Sequence, residues 1–231
     1  MNLWWWQSYT WLKDSASPVF QQMQYFYDIV MFIVFSIGFL VALCMFYVLW
    51  AGYADGVSFG SQIAEGCWTM GPILILLYMG YTSLHLLYIM DEVKGCRLTF
   101  KILGRQWYWS YEYTDNGVIS FDSYLVQEGD LQVGGFRLAE VDNRVVLPEG
   151  YNIRALTLGM DVIHSWALPS LGFKLDCIPG RLNQGLLISD RVGVFYGQCS
   201  EICGVNHAFM PIVVEFISSE DFKKWVENYK E

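Results

Sequence analysis

The stretch Tyr196-Gly197-Gln198-Cys199-Ser200-Glu201-Ile202-Cys203-Gly204-Val205-Asn206-His207-Ala208-Phe209-Met210-Pro211-Ile212 lies between two short apolar runs, 192–196 and 212–217, that read as strands. It gathers two thiols, an imidazole and a thioether into the series Cys-x3-Cys-x3-His-x2-Met, an order that lets a loop fold back on one point. Thiolate and thioether ligands select copper, zinc or iron–sulfur, and imidazole suits copper and zinc. A mononuclear blue-copper site takes one Cys, two His and a weak axial Met. Here two Cys stand with one local His, and the chain offers only His85 and His164 besides. Two bridging thiolates, with His and Met or His and a carbonyl at the ends, suit a pair of copper ions. A Cys2His2 zinc and a plain disulfide stay open on the residues alone. The spacing fits zinc patterns poorly, however, and zinc leaves Met210 without a use.

Around this loop, residues 97–231 carry short apolar runs, alternation and turn residues. Gln106 to Tyr113 alternates aromatic and polar side chains as a strand does. Asp115-Asn116-Gly117 supplies a turn before the run 118–121, and 142–147, 152–158 and 186–188 are further strand segments. Many short strands punctuated by Gly and Pro predict an all-β sandwich or barrel. Ser218-Ser219-Glu220-Asp221 opens a last helix, on which Phe222, Trp225, Val226 and Tyr229 share one packing face.

The N-terminal part differs. Residues 29–54 and 66–90 hold no charge, and each is long enough to cross a bilayer, which takes about 20 apolar residues. A turn over 55–60 joins them, so they predict a membrane-spanning hairpin over 29–92 with both ends on one side. Trp4, Trp5, Trp6 and Trp11 predict an interfacial segment over 1–28. That segment has neither the pattern of a secretory signal nor that of an Arg-rich transit peptide. This is compatible with synthesis inside the organelle that uses the protein. A net charge of −9 argues against nucleic acid and favours a basic partner. Cys44 and Cys67 read as small apolar residues of the spans. His85 reads as a polar residue near an interface or a helix contact, and a Cys96–Cys177 disulfide has nothing to support it.

Three segments together resemble cytochrome c oxidase subunit II: the loop just quoted, Val162-Ile163-His164-Ser165-Trp166-Ala167 with Pro169-Ser170-Leu171-Gly172, and Gln106-Trp107-Tyr108-Trp109-Ser110-Tyr111-Glu112-Tyr113. The resemblance runs from about residue 62 to about 215. It implies a membrane-anchored all-β protein, with a two-helix transmembrane hairpin followed by a cupredoxin-like Greek-key β-barrel over 97–231. It also implies a binuclear copper-A centre held by His164, Cys199, Cys203, His207, Met210 and the carbonyl of Glu201. The Glu201 carboxylate would share a magnesium or manganese ion with the catalytic subunit. Trp107 would receive electrons from cytochrome c. Glu112, Asp115, Asp122, Asp142 and Asp161 would dock that basic partner, and Glu65 would lie near a proton-uptake route.

The implied chemistry is one-electron relay from cytochrome c to haem in the large subunit of a proton-translocating oxidase. A count of Lys and Arg puts the C-terminal domain inside. The resemblance implies the opposite: the mitochondrial intermembrane space, with the spans in the inner membrane, or a bacterial periplasm. Asn116-Gly117-Val118 and Met160 are uncharged where many relatives carry acid. A nitrous-oxide-reductase-type carrier shares the loop but not the hairpin. A quinol oxidase subunit lacks the copper ligands, and a copper chaperone uses a thioredoxin-like fold.

Overall fold

A computed structural model describes residues 14–52, 60–115 and 119–229 of the chain. Two long helices come first: α1, Pro18–Ala51, and α2, Gln62–Asp91. Both are long and apolar enough to cross a membrane, and neither buries a residue within the chain. With 34 residues, α1 is about 51 Å long at 1.5 Å per residue, against a hydrocarbon core of about 30 Å. It therefore starts well before residue 29. Pro18 stands at its first position, and the Ser17 hydroxyl accepts the Phe20 N–H at 3.0 Å, so Ser-Pro is the start signal. Absence of charge marks the lipid-facing stretch and not the helix, so the segment expected over 1–28 turns helical at Pro18. The four N-terminal tryptophans and most of the 55–60 turn lie outside the described residues. On the helices, Cys44, Cys67, His85 and Glu65 are all exposed.

Residues 14–21 belong with the β domain and not with the spans. Ala16 is fully buried there; its N–H donates to the Ser170 carbonyl at 2.9 Å and its carbonyl accepts from Asp190 N–H at 3.0 Å. The Ser17 hydroxyl donates to the Leu171 carbonyl at 2.7 Å.

The domain has ten strands among the described residues. A five-stranded sheet holds β1 (Leu98–Arg105), β2 (Tyr108–Tyr113), β3 (Ile119–Ser123), β5 (Ile153–Gly159) and β8 (Asn183–Leu187), in the order β3-β2-β1-β5-β8. A second sheet holds β4 (Val145–Pro148), β9 (Gly193–Gln198) and β10 (Pro211–Ile217), in the order β4-β10-β9. Strands β6 (His164–Leu168) and β7 (Phe173–Cys177) form a third, two-stranded sheet. Period-two alternation drives the arrangement: Trp109, Tyr111 and Tyr113 of β2, and Ile153, Ala155 and Thr157 of β5, all point into the core. The last helix, α3 (Ser219–Tyr229), buries Phe222 and Val226, and Trp225 packs against Tyr113.

Strands β1, β6 and β7 lie outside the segments predicted from sequence. β6 is buried along its whole length, so it has no polar face to alternate with. The strand expected over 106–113 begins only at Tyr108. Arg105 pairs with Tyr108, which leaves Gln106 and Trp107 as the two-residue turn between β1 and β2. Trp107 is thus a turn residue, and the peptide bond before it is cis.

Gly197 shows how closely β9 approaches β6. A Cβ there would run into the carbonyl of Ala167 and the Leu168 side chain. Gly197→Ala is expected to destabilise the chain by about 1–3 kcal/mol, the cost of overpacking. An unshifted melting temperature in detergent would contradict this.

Candidate metal centre

The ligand loop is the connection between β9 and β10. It is closed at its base by the Gln198–Pro211 pair and by the Gln198 amide, which donates to the Ala208 carbonyl at 2.6 Å. A short 3-10 turn, His207–Phe209, brings His207 and then Met210 back towards the cysteines. The loop docks on β6 through Ser200 N–H to the Ser165 carbonyl, at 2.9 Å. That contact sets His164, the first residue of β6, beside the loop.

Six donor atoms converge. The Sγ atoms of Cys199 and Cys203 are 4.0 Å apart, too far for a disulfide. Cys203 Sγ lies 3.6 Å from His207 Nδ1 and 3.5 Å from Met210 Sδ, and Cys199 Sγ lies 3.4 Å from the Glu201 carbonyl oxygen. The donor atoms of His164, Cys199 and Cys203 all fall within 4.8 Å of one another. His164, Cys199, Cys203 and Met210 are buried, and His207 is half-buried. All six cysteines are free, so the Cys96–Cys177 disulfide is absent.

His164 is the telling residue. Its Nε2 is 2.8 Å from Asp161 Oδ1. A carboxylate only accepts, so Nε2 carries the hydrogen and Nδ1 offers its lone pair. Nδ1 is buried without a hydrogen-bond partner. A polar atom left so is costly unless something binds it. Asp161 also accepts from Val162 N–H at 2.6 Å and Gln106 N–H at 2.6 Å. The chain thus orients the ring by a carboxylate, as metal-binding histidines commonly are. Gly104 makes room for it: a Cβ there would come within 2.8 Å of the ring. Trp109 stands edge-on to His164, with 5.9 Å between ring centroids, and its Nε1 donates to the Met210 carbonyl at 3.2 Å.

Charge at the site is uneven. Burial pushes the Cys199 thiol up, but the neighbouring His164 and the backbone at Ser165 outweigh it and bring Cys199 below the usual thiol range. Burial and the Cys199 charge hold Cys203 above that range. Burial pulls the His164 imidazole down, and Cys199 and Asp161 more than reverse this. Partial burial works against the Asp161 charge, but His164 and two N–H donors keep its carboxyl low.

Gln106 and Trp107 complete the surroundings: the Gln106 amide and Trp107 Nε1 both donate to the Cys203 carbonyl, at 2.8 and 3.2 Å. Among the other residues singled out from sequence, Glu112 is ion-paired with Lys101 at 2.7 Å. Asp115 accepts from Thr99 N–H, Asp122 from the Ser110 hydroxyl, and Asp142 from Tyr124 and Asn143 N–H. The half-buried Glu201 lies on the ligand loop, whereas Glu65 belongs to the separate unit of the spans. Sequence reasoning missed Gln106, Trp109 and Gly104 as site residues, and it did not show that Asp161, expected on a docking surface, also holds the His164 ring. No local pattern marks a residue that acts through another's ring or carbonyl.

Residues 98–217 match the family described as cytochrome c oxidase subunit II, periplasmic domain, and residues 3–86 match its transmembrane domain. The chain belongs to the cytochrome c oxidase subunit II family. Cytochrome c oxidase subunit 2 of Drosophila yakuba is 48% identical over 217 residues, which is 94% of this chain and 95% of the relative. That of Drosophila ambigua matches to the same extent. The crystal structure of the periplasmic domain of subunit II (CoxB) of Bradyrhizobium japonicum is similar with a TM-score of 0.56 and 47% identity, over 60% of this chain and 97% of that one. A mixed disulfide intermediate between a thioredoxin-like TlpA variant and the same kind of subunit II domain gives a TM-score of 0.53 and 46% identity, over 60% and 94%. As a member of this family, the chain is an electron-transfer subunit of a cytochrome c oxidase: two transmembrane helices followed by a soluble β domain that holds a His/Cys/Cys group.

Proposed function

We propose that the donors at the β9–β10 loop hold a binuclear copper-A centre. Through it the chain takes single electrons from cytochrome c and passes them to haem in the catalytic subunit. The observation that carries this reading is the buried, partnerless Nδ1 of His164 facing two thiols. Zinc would leave the Met210 thioether without a role, whereas a soft thioether suits copper. Bound copper would supply a one-electron store. Cys199 and Cys203 would bridge, His164 and His207 would each hold one ion, and Met210 and the Glu201 carbonyl would be weak outer ligands. The burial of His164, Cys199, Cys203 and Met210 keeps water away, and the strands on either side anchor the loop, so little needs to move when charge changes.

Trp107 takes the receiving position in this reading, since its indole joins the outer turn to the Cys203 carbonyl. Among the described residues Asp115, Asp122 and Asp142 have hydrogen-bond donors but no cationic partner, which suits a basic protein, while Glu112 is paired with Lys101 and Asp161 holds the His164 ring. The Glu201 carboxylate is assigned to a magnesium or manganese ion completed by the catalytic subunit, because one carboxylate alone is too few ligands. Glu65 is assigned to the mouth of a proton route there. The compartment proposed is the mitochondrial inner membrane, with the β domain in the intermembrane space.

Metal analysis with electron paramagnetic resonance tests the reading. Two coppers and one spin shared over both are expected. One zinc and no signal would make the centre structural. The mixed disulfide between a thioredoxin-like protein and a similar subunit II domain points to a further requirement, that the cysteine pair be reduced before loading. Copper affinity is expected to fall steadily as pH falls. The metal must displace a proton from the raised Cys203 thiol, and on acidification it must also compete with one at His164 Nδ1. A chelator competition series that gave one affinity at every pH would contradict this.

A further inference from the structure

We infer that Gln106 is a positioning residue for the metal centre. It latches the electron-receiving turn to the ligand loop and to His164 at once. The inference rests on the copper reading above and adds a part to it. Gln106 has two bonds that run in different directions. Its side-chain amide donates to the Cys203 carbonyl at 2.8 Å. Its backbone N–H donates to Asp161 Oδ2 at 2.6 Å, and the other Asp161 oxygen holds the His164 ring at 2.8 Å. One turn residue therefore touches the loop of one ligand and the orienting carboxylate of another. These are residues 55 and 97 positions away along the chain.

Gly204 is the complement of this latch. It has φ +122, where a side chain is strained. A Cβ there would lie 3.1 Å from the Trp107 ring and 3.3 Å from the Gln106 amide nitrogen. A bare backbone is thus what lets the turn seat on the Cys203 carbonyl. Gln106 is itself exposed, so its side chain is held in place by what it bonds and not by packing. Trp107 shares the same carbonyl at 3.2 Å, and its distance to the centre depends on how firmly that carbonyl is gripped.

The test uses the intact oxidase carrying Gln106→Leu, which removes the amide and keeps the backbone N–H. Gly204→Ala is the second variant, which leaves Gln106 unchanged but crowds the turn. Copper content, the paramagnetic resonance hyperfine pattern, and stopped-flow reduction over a range of cytochrome c concentrations are measured. Both variants are expected to keep two coppers, to change the hyperfine pattern, and to lower the saturating reduction rate by about tenfold, the low end for loss of an outer hydrogen-bond partner. The half-saturating cytochrome c concentration should hold. A normal saturating rate with only a raised half-saturating concentration in Gln106→Leu would make Gln106 a docking contact and overturn the inference. Loss of copper from both variants would make the turn a folding element and overturn it as well. Absence of the shared-spin signal in the unsubstituted oxidase would instead sink the copper reading on which it rests.

Discussion

Cys199→Ser is expected to abolish the two-copper centre, and Cys203→Ser to do the same. A serine hydroxyl neither ionises near neutral pH nor matches a thiolate in softness, so it cannot bridge two coppers. The loss should exceed the roughly 10–100-fold in affinity that removing an outer partner of a metal ligand costs. His164→Ala belongs in the same class, since it deletes a buried donor that nothing else among the described residues satisfies. Met210→Leu is the control. It conserves volume in a site where Met210 is almost wholly buried, so the fold should lose less than about 1.5 kcal/mol. Two coppers should remain with a changed potential, because an axial thioether tunes more than it holds. Paramagnetic resonance and metal content of the four variants decide the matter. A normal shared-spin signal in Cys199→Ser would end the assignment.

Trp107→Ala should slow electron uptake from cytochrome c on the order of 100-fold, the scale on which a small loss of placement acts. The substitution deletes an indole whose Nε1 sits 3.2 Å from the carbonyl of Cys203, so both the contact surface and its link to the centre go together. Docking should change little, because attraction at a distance resides in the carboxylates. Raising salt should weaken docking in the unsubstituted protein and in the variant alike. Stopped-flow traces at several ionic strengths separate the two effects. Equal limiting rates with and without the indole would show that Trp107 only packs.

The two halves of the molecule differ in how much of them was legible. The spans were plain, since a long helix without charge has no polar face to turn towards water. Their N-terminal limit was not, because α1 already runs as helix through the polar Gln21, Gln22 and Asp28, ahead of the charge-free stretch. In the domain, β5 reads directly from its alternation, whereas β6, buried on both faces, does not. The aromatic run 106–113 reads as one strand from its pattern. In fact its first two residues turn the corner, and that corner is what reaches the metal centre.

The sequence by itself determined the kinds of ligand, their spacing on one loop, and the separation into an apolar hairpin and a stranded domain. These are local properties: softness, charge and periodicity belong to each residue or to its near neighbours. Only the tertiary structure decided that His164 comes to the loop with Nδ1 free and Nε2 held. It also decided that Asp161 serves that ring, and that Gln106 and Trp107 share one carbonyl. Such relations depend on β6 packing beside β9 and on the β1–β2 turn reaching over the ligand loop. Convergence of distant residues to within hydrogen-bond distance is set by strand register and core packing, which no single stretch of the chain contains.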